Sequence, residues 1–261
     1  MSHEDDRRDK RGIDRRRFLI RGATAAGGLL LGGCDMLSNN KTFTRLLGSA
    51  ADLNERIQPA LASRQALARE FSESDISAYF KSNGTHYPSD PEYQRLAANH
   101  FTDWRLEVNG LVAHPQRLSL DEVRALPSRT QITRHDCVDG WSCIGKWQGA
   151  RLSALLERVK PSPAARFVVF YCYDTLHGGK YYESIDMDDA FHPQTILAYR
   201  FDNLTLPIPH GAPLRLRLPR QLGYKMAKYL KRIELVKDFG DIRGGNGGFW
   251  EDRGYAWYAG I

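Results

Sequence analysis

The chain has 261 residues, 42% hydrophobic and 26% charged, a globular composition rather than a disordered or multi-span membrane one, and long enough to bury its own core. Four cysteines exclude a disulfide-stapled scaffold. The net charge of +6 invites a nucleic-acid partner, but residues 1–33 hold eight Lys/Arg against five Asp/Glu, so about half the excess lies in that segment and the remainder is ordinary for a domain.

The chain opens as an address. Asp14-Arg15-Arg16-Arg17-Phe18-Leu19 sets paired arginines before a short apolar stretch, Ala23 to Leu31, which is too short to span a bilayer. Charged segment, apolar segment and small residues in that order form a signal peptide, and the arginines followed by Phe-Leu resemble a twin-arginine (Tat) signal with Asp14 in place of the usual Ser/Thr. Leu31-Gly32-Gly33-Cys34 resembles a lipobox, with Cys34 carrying the lipid anchor after cleavage. The expected location is the periplasm or cell envelope. The Tat route carries folded proteins, which suits an enzyme loaded with its cofactor before export.

Residues 34–80 read as a linker and an N-terminal helix. The spacing of Leu53, Ile57, Leu61, Leu67 and Phe71 predicts helix from Ala51 to about Phe80, broken or kinked at Pro59. Residues 82–91 are a loop. Residues 81–261 are expected to form the main domain. Trp104 to Val108 alternates and meets Asn109-Gly110, a strand and turn. Ser119-Leu-Asp-Glu122 has the capping-box form and opens a short helix that stops before Pro127. Gln131 to Val138 reads as a strand, Leu152 to Val159 as a helix, and Phe167 to Tyr173 as a fully buried strand. Thr195–Phe201 and Leu204–Leu206 flank Asp202-Asn203 as a hairpin. Leu214 to Leu218 alternates perfectly, a strand with one basic face, and Ile233 to Val236 is a further strand. Strands with short helices between them give an α+β fold with mixed or antiparallel sheets, and no Walker or Rossmann glycine motif follows a strand.

Two segments carry chemistry. In Arg134-His-Asp-Cys137-Val-Asp-Gly-Trp141-Ser142 a cysteine leaves a strand and enters a turn, with Thr133, His135 and Cys137 on one face. A thiolate ligand needs a positive centre beside it, which a metal supplies. A buried structural cysteine is the commoner fate, a cysteine nucleophile with His135 as base is a third reading, and zinc lacks the usual ligand spacing. From Arg215 to Arg232 seven basic residues run without an acid: Arg215, Arg217, Arg220, Lys225, Lys228, Lys231 and Arg232. With Gly223-Tyr224-Lys225 in the middle, exposed N–H groups beside cations suit phosphate or pyrophosphate. A solvated basic face is the bland alternative. Nucleic acid is disfavoured by the export signal and by the lack of interleaved aromatics.

Cys137-Val-Asp-Gly-Trp-Ser, Trp147-Gln-Gly, Leu152-Ser-Ala-Leu-Leu, His192-Pro-Gln-Thr-Ile-Leu, His210-Gly-Ala-Pro-Leu-Arg-Leu and Leu222-Gly-Tyr-Lys-Met-Ala-Lys228 occur in order. From about Trp104 to Val236 the chain resembles the sulfite-oxidase-like molybdopterin oxidoreductases, nearest their Tat-exported bacterial catalytic subunits of the methionine-sulfoxide-reductase (MsrP/YedY-like) type. The resemblance implies that family's fold and a molybdenum-molybdopterin cofactor with Cys137 as the protein ligand of the metal and the catalytic centre. It places cofactor contacts on His210, Arg215, Met226, Ala227 and Lys228, on Cys172 where the family usually has Thr, and on Asn83, His86 and Tyr87 of the early loop. At His210 the family often has Asn. The expected reaction is oxygen-atom transfer on a small or protein-borne S-oxide, N-oxide or oxyanion. Asp136, Asp139 or Asp174 is placed to relay protons. The chain leaves no room for a C-terminal dimerisation domain or a haem domain, so electrons are expected from a separate haem or quinone-linked partner. The Gly244–Tyr258 stretch either closes over the pocket or packs as a terminal arm. A Cys143–Cys172 disulfide is conceivable after export. The competing readings are a non-catalytic envelope lipoprotein that keeps the fold as a binding module and a cysteine-dependent thiol enzyme.

Overall fold

A computed structural model describes residues 66–261, together with Asn40, Thr42 and Ser49. The signal segment, the lipobox and the first part of the expected helix (51–65) lie outside the described residues. The chain divides into two compact units, Met1–Ile57 and Gln58–Ile261, and the sheets lie in the second.

Ten strands form two five-stranded sheets. The first has the order β2-β1-β10-β5-β6, from β1 (Arg105–Gly110), β2 (Gln116–Ser119), β5 (Phe167–Leu176), β6 (Gly179–Asp186) and β10 (Leu230–Val236). Its β1–β10 pair is parallel and the others antiparallel. The second sheet pairs β3 (Ser128–Asp136), β4 (Ser142–Arg151) and β7 (Ile196–Phe201). The far edge of β7 is shared by β8 (Leu204–Thr205) and β9 (Arg215–Arg217). Among the described residues of this unit, α1 (Pro91–Ala98) leads into β1, and three further short helices connect strands: α2 (Leu120–Arg124), α3 (Leu152–Val159) and α4 (Met187–Phe191).

Local chemistry explains most of these elements. In α2 the Ser119 side chain accepts from the Glu122 N–H and the Glu122 carboxylate accepts from the Ser119 N–H, the reciprocal cap its sequence predicts. The β7–β8 turn places Asp202 and Asn203 at φ +46° and +65°, a conformation these residues tolerate. Apart from the exposed Arg200, β7 is apolar because both of its faces are buried: Leu197 and Tyr199 enter the main core, while Ile196 and Ala198 enter a smaller one with Phe80, Trp147 and Phe201.

The fold departs from the expected N-terminal helix and decides between open readings at β9 and at the cysteines. Residues 66–80 form no α-helix; they run as an irregular strap along β3 and β4, with Glu70 bridging Thr133, the Phe71 N–H donating to Ile132 O and the Ser77 N–H donating to Ile144 O. The apolar spacing that suggests a helix is met instead by seating Phe80 in the smaller core, while Leu67 is exposed. The basic face of β9 is no solvated surface, since Arg215 and Arg217 are both buried. Cys137, Cys143 and Cys172 are all free thiols, so no 143–172 disulfide forms.

Candidate functional site

β3 and β4 are joined by a five-residue loop, Cys137–Trp141, closed by the Cys137 N–H to Trp141 O (2.9 Å) and the Gly140 N–H to Cys137 O (3.0 Å). Gly140 takes φ +85°, which a residue with a Cβ rarely adopts. The β3 strand therefore ends at Asp136, two residues before its expected end, and Cys137 is carried at the tip of a hairpin. There it lines an open cleft of about 640 Å³. Other walls come from the loop at Asn83–Thr85, Asp174 of β5, Tyr181 of β6, the Gly223–Lys228 stretch, and Trp250 and Tyr255 of the C-terminal segment.

Burial raises the Cys137 thiol above the ordinary cysteine value, and the nearby Asp139 carboxylate, 3.5 Å from Sγ, adds to it. A protonated thiol is a poor nucleophile. His135 gives it no base: burial first, then Arg217, holds that imidazole neutral well below its usual value. The Arg217 guanidinium donates to His135 Nδ1 at 2.9 Å, so the ring proton sits on Nε2, which has no partner. A Cβ on Gly223 would lie 2.4 Å from that Nε2. Among the described residues no cluster of three or more His, Cys, Asp or Glu suits a metal ion. This leaves the zinc reading without a ligand set.

Behind the cleft lies a buried layer of positive charge. The alternation of β9 sends Leu214, Leu216 and Leu218 into the main core and turns Arg215 and Arg217 onto Trp147, whose ring lies 5.0 and 4.5 Å from the two guanidinium carbons. Arg215 donates to the carbonyls of His210 (3.0 Å) and Met226 (3.3 Å), and Arg217 to Met226 Sδ and Thr133 Oγ1. Lys228 spends its ammonium on the carbonyls of Asn83, Thr85 and Pro209, at 2.6, 2.6 and 2.9 Å. Burial pushes Arg215 down to about 10 and Lys228 down to about 7, and burial with the Arg215 charge depresses Arg217. His210 falls to about 4, chiefly by burial. Buried charges are normally paired. Here three cations gather without a carboxylate in salt-bridge contact among the described residues, and among those residues Arg217 Nε, His135 Nε2 and His210 Nδ1 lack partners. This arrangement fits an anionic group bearing phosphate and polar ring atoms.

The expected site residues fall in three places. Asn83, Cys137, Met226 and Lys228 line the cleft. His210, Arg215 and Ala227 stand behind it, the Ala227 carbonyl accepting from the Leu216 N–H, while Cys172 is buried on β5, two residues before Asp174. His86 and Tyr87 are exposed, Tyr87 packing edge-on against Tyr93 of α1. Two details of the basic segment are corrected. Gly223, Tyr224 and Lys225 form a buried 3-10 turn, not an exposed N–H nest, and Lys225 is neutralised by Glu183 and Glu251. Sequence reading did not assign Tyr181 to the site, named Arg217 only as part of the basic run, and reached Trp250 and Tyr255 only through the reading in which the 244–258 stretch closes over the pocket, where the structure puts both on the cleft wall.

Residues 93–240 match the family described as "Oxidoreductase molybdopterin binding domain". The chain belongs to this family. It is a molybdopterin-dependent oxidoreductase with the sulfite-oxidase-like fold. It is 40% identical over 94% of its length, and 87% of the relative's, to the "Putative protein-methionine-sulfoxide reductase subunit YedZ1" of Azospira oryzae. It is 33% identical to the protein-methionine-sulfoxide reductase catalytic subunit MsrP of Campylobacter jejuni, over 55% of this chain and 52% of that protein. The crystal structure of the sulfane dehydrogenase SoxCD from Paracoccus pantotrophus matches with a TM-score of 0.49 and 21% identity, over 52% of this chain and 39% of that one.

Proposed function

We propose that this oxidoreductase reduces alkyl S-oxides, with methionine sulfoxide, free or in protein, as the substrate class, in the cell envelope after Tat export. The observation that carries the reading is the placement of Cys137 at the cleft wall in front of an uncompensated cationic layer. Cys137 is the single protein donor for molybdenum, and Arg215, Arg217 and Lys228 hold the anionic part of the cofactor. When bound, the cofactor supplies two-electron oxygen-atom transfer at molybdenum. The net change is R2SO + 2 H⁺ + 2 e⁻ → R2S + H2O, with both electrons delivered by a separate haem or quinone-linked partner. Asp174, raised to about 6 by burial against the opposing charge of Lys228, can take up and give back a proton at the cleft just below neutral pH. The names of the two curated relatives support the substrate class. Export rests on the arginine pair and Cys34.

Protein purified from a host that makes the cofactor is expected to contain molybdenum, to give a paramagnetic signal and to reduce methionine sulfoxide with an artificial electron donor. Cys137→Ser should lose the native signal and lower turnover by at least about a hundredfold, the scale of losing an interaction that orders the reacting centre. Molybdenum-free wild-type protein would leave only a binding module. Turnover abolished by thiol alkylation in metal-free protein would leave a thiol enzyme.

A further inference from the structure

The cleft has an outer wall that the cofactor-holding residues do not account for. Trp250 and Tyr255 line it from either side of the 3-10 turn Glu251–Arg253. Their rings lie 5.1 Å apart. Tyr255 meets Tyr224 edge-on at 5.3 Å, and Trp250 meets Phe249, which stacks on Tyr181. The turn is rigid. The Tyr255 N–H donates to Trp250 O at 3.1 Å, Gly254 adopts φ +95°, and Glu251 is buried on the Lys225 ammonium at 2.6 Å. The two rings are nevertheless uncovered, with Tyr255 37% exposed and Trp250 partly so. Fixed, part-exposed aromatic rings facing a cleft are the ordinary form of an apolar recognition surface.

The charge at the same wall sets what it recognises. The ionisable acids and bases lining the cleft, tyrosines and the thiol aside, are Asp139, Asp174 and Lys228. Lys228 has its N–H groups committed to three carbonyls. With its N–H groups spent on carbonyls and its charge facing the anionic part of the cofactor, Lys228 is not left for a substrate oxyanion such as sulfite, and the Asp139 carboxylate at the same wall opposes one. A neutral S-oxide suffers no such repulsion, and its S-methyl group and flanking methylenes gain from contact with aromatic faces.

We propose that Trp250 and Tyr255 form a specificity subsite that receives the alkyl side of a neutral sulfoxide and sets the preference for sulfoxides over oxyanions. The proposal rests on the S-oxide reading above and names the residues that read the substrate. The full-length, cofactor-loaded protein and its Trp250→Ala and Tyr255→Ala variants are compared with methionine sulfoxide, dimethyl sulfoxide and sulfite as substrates. Methionine sulfoxide binding to the oxidised protein is measured separately by calorimetry. Each variant should raise KM and Kd for methionine sulfoxide about three- to tenfold, the scale of losing one sulfur–aromatic contact with its apolar burial, with the change carried by KM rather than kcat. Trp250→Phe and Tyr255→Phe should recover most of the loss at unchanged molybdenum content. If the alanine variants lose molybdenum, Trp250→Gln and Tyr255→Gln, which keep bulk but remove the apolar face, are read by the same constants. Wild-type sulfoxide turnover with unchanged KM and Kd in the variants overturns the subsite and leaves the S-oxide reading standing. Preference of the wild-type protein for sulfite overturns both.

Discussion

Lys228 carries its charge where bulk water cannot stabilise it. Its three carbonyl partners satisfy its N–H groups but do not neutralise it, and burial lowers it from 10.5 to about 7. The unfolded chain therefore holds this proton over a pH range in which the folded chain has released it. Stability must rise with pH across that range, from about 7 to about 10. Denaturant titrations of cofactor-free protein should show this climb, with an upper limit on the order of 5 kcal/mol at 1.36 kcal/mol per pKa unit. Lys228→Met should flatten it. Loading the cofactor should flatten it too, because an anion beside the ammonium restores its ordinary affinity for the proton. A climb that persists in Lys228→Met assigns the titration to another group. At the same scale, Gly223→Ala puts a Cβ 2.4 Å from His135 Nε2. Its expected effect is reduced molybdenum retention, read by metal analysis, because the His135–Arg217 contact has to shift.

At the scale of elements, the sequence was legible wherever a local rule agreed with the fold. The Ser119–Glu122 cap, the Leu152–Val159 helix and the Asp202-Asn203 turn depend on neighbouring residues, and each stands where local chemistry puts it. β4 was not legible. Ser-Cys-Ile-Gly-Lys-Trp-Gln-Gly-Ala-Arg contains glycines that argue against a strand, and its reason for being one lies in β7. A Cβ on Gly149 would meet Leu197 O at 2.2 Å and Ala198 Cα at 2.6 Å. The glycine is there because two backbones approach closely beside the bulge at Gln148/Gly149. Gly149→Ala should thus destabilise the fold by about 1–3 kcal/mol through overpacking, read as a lowered denaturation midpoint. Gly140→Ala meets nothing within 4 Å. It should cost less than Gly149→Ala through its positive φ alone, and it should be felt at Cys137, whose loop it closes. The site followed the same rule. The cysteine turn and the Arg-x-Arg strand were visible in the chain, and the aromatic 244–258 stretch was one of two open readings, but the Trp147 ring beneath the arginines and the seating of Trp250 and Tyr255 on Tyr224 and Phe249 are long-range contacts that no local pattern announces.

Across the whole catalytic unit, the C-terminal segment is tied to the cofactor-binding stretch through one buried cation. Lys225 sits between Glu183 of β6 and Glu251 of the C-terminal turn, at 2.5 and 2.6 Å, with all three side chains essentially inaccessible. Burial opposes the Lys225 charge, but the two carboxylates outweigh it and raise its pKa, while burial and the Glu251 charge raise Glu183 well above an ordinary carboxyl. The triad thus keeps the Lys225 ammonium between the two acidic side chains that neutralise it. Further ties run in parallel: the Leu222 N–H to Ala259 O, the Tyr224 hydroxyl to Ala256 O, and the Trp257 indole to Ser184 Oγ. Removing only the cation strands the acids in a dry site. Lys225→Met should cost about 3–5 kcal/mol and free the backbone after the already exposed Arg253 for tryptic cleavage, as the turn lets go of β6. Replacing the whole triad together, Lys225→Met with Glu183→Leu and Glu251→Leu, removes the stranded charge as well. It should recover most of that stability, a deviation from additivity expected of groups that share partners. Denaturation midpoints and the rate of tryptic cleavage at Arg253 measure the two variants side by side. Equal losses in both would mean that the segment is held by its backbone and aromatic contacts, with the ion triad contributing little to its docking.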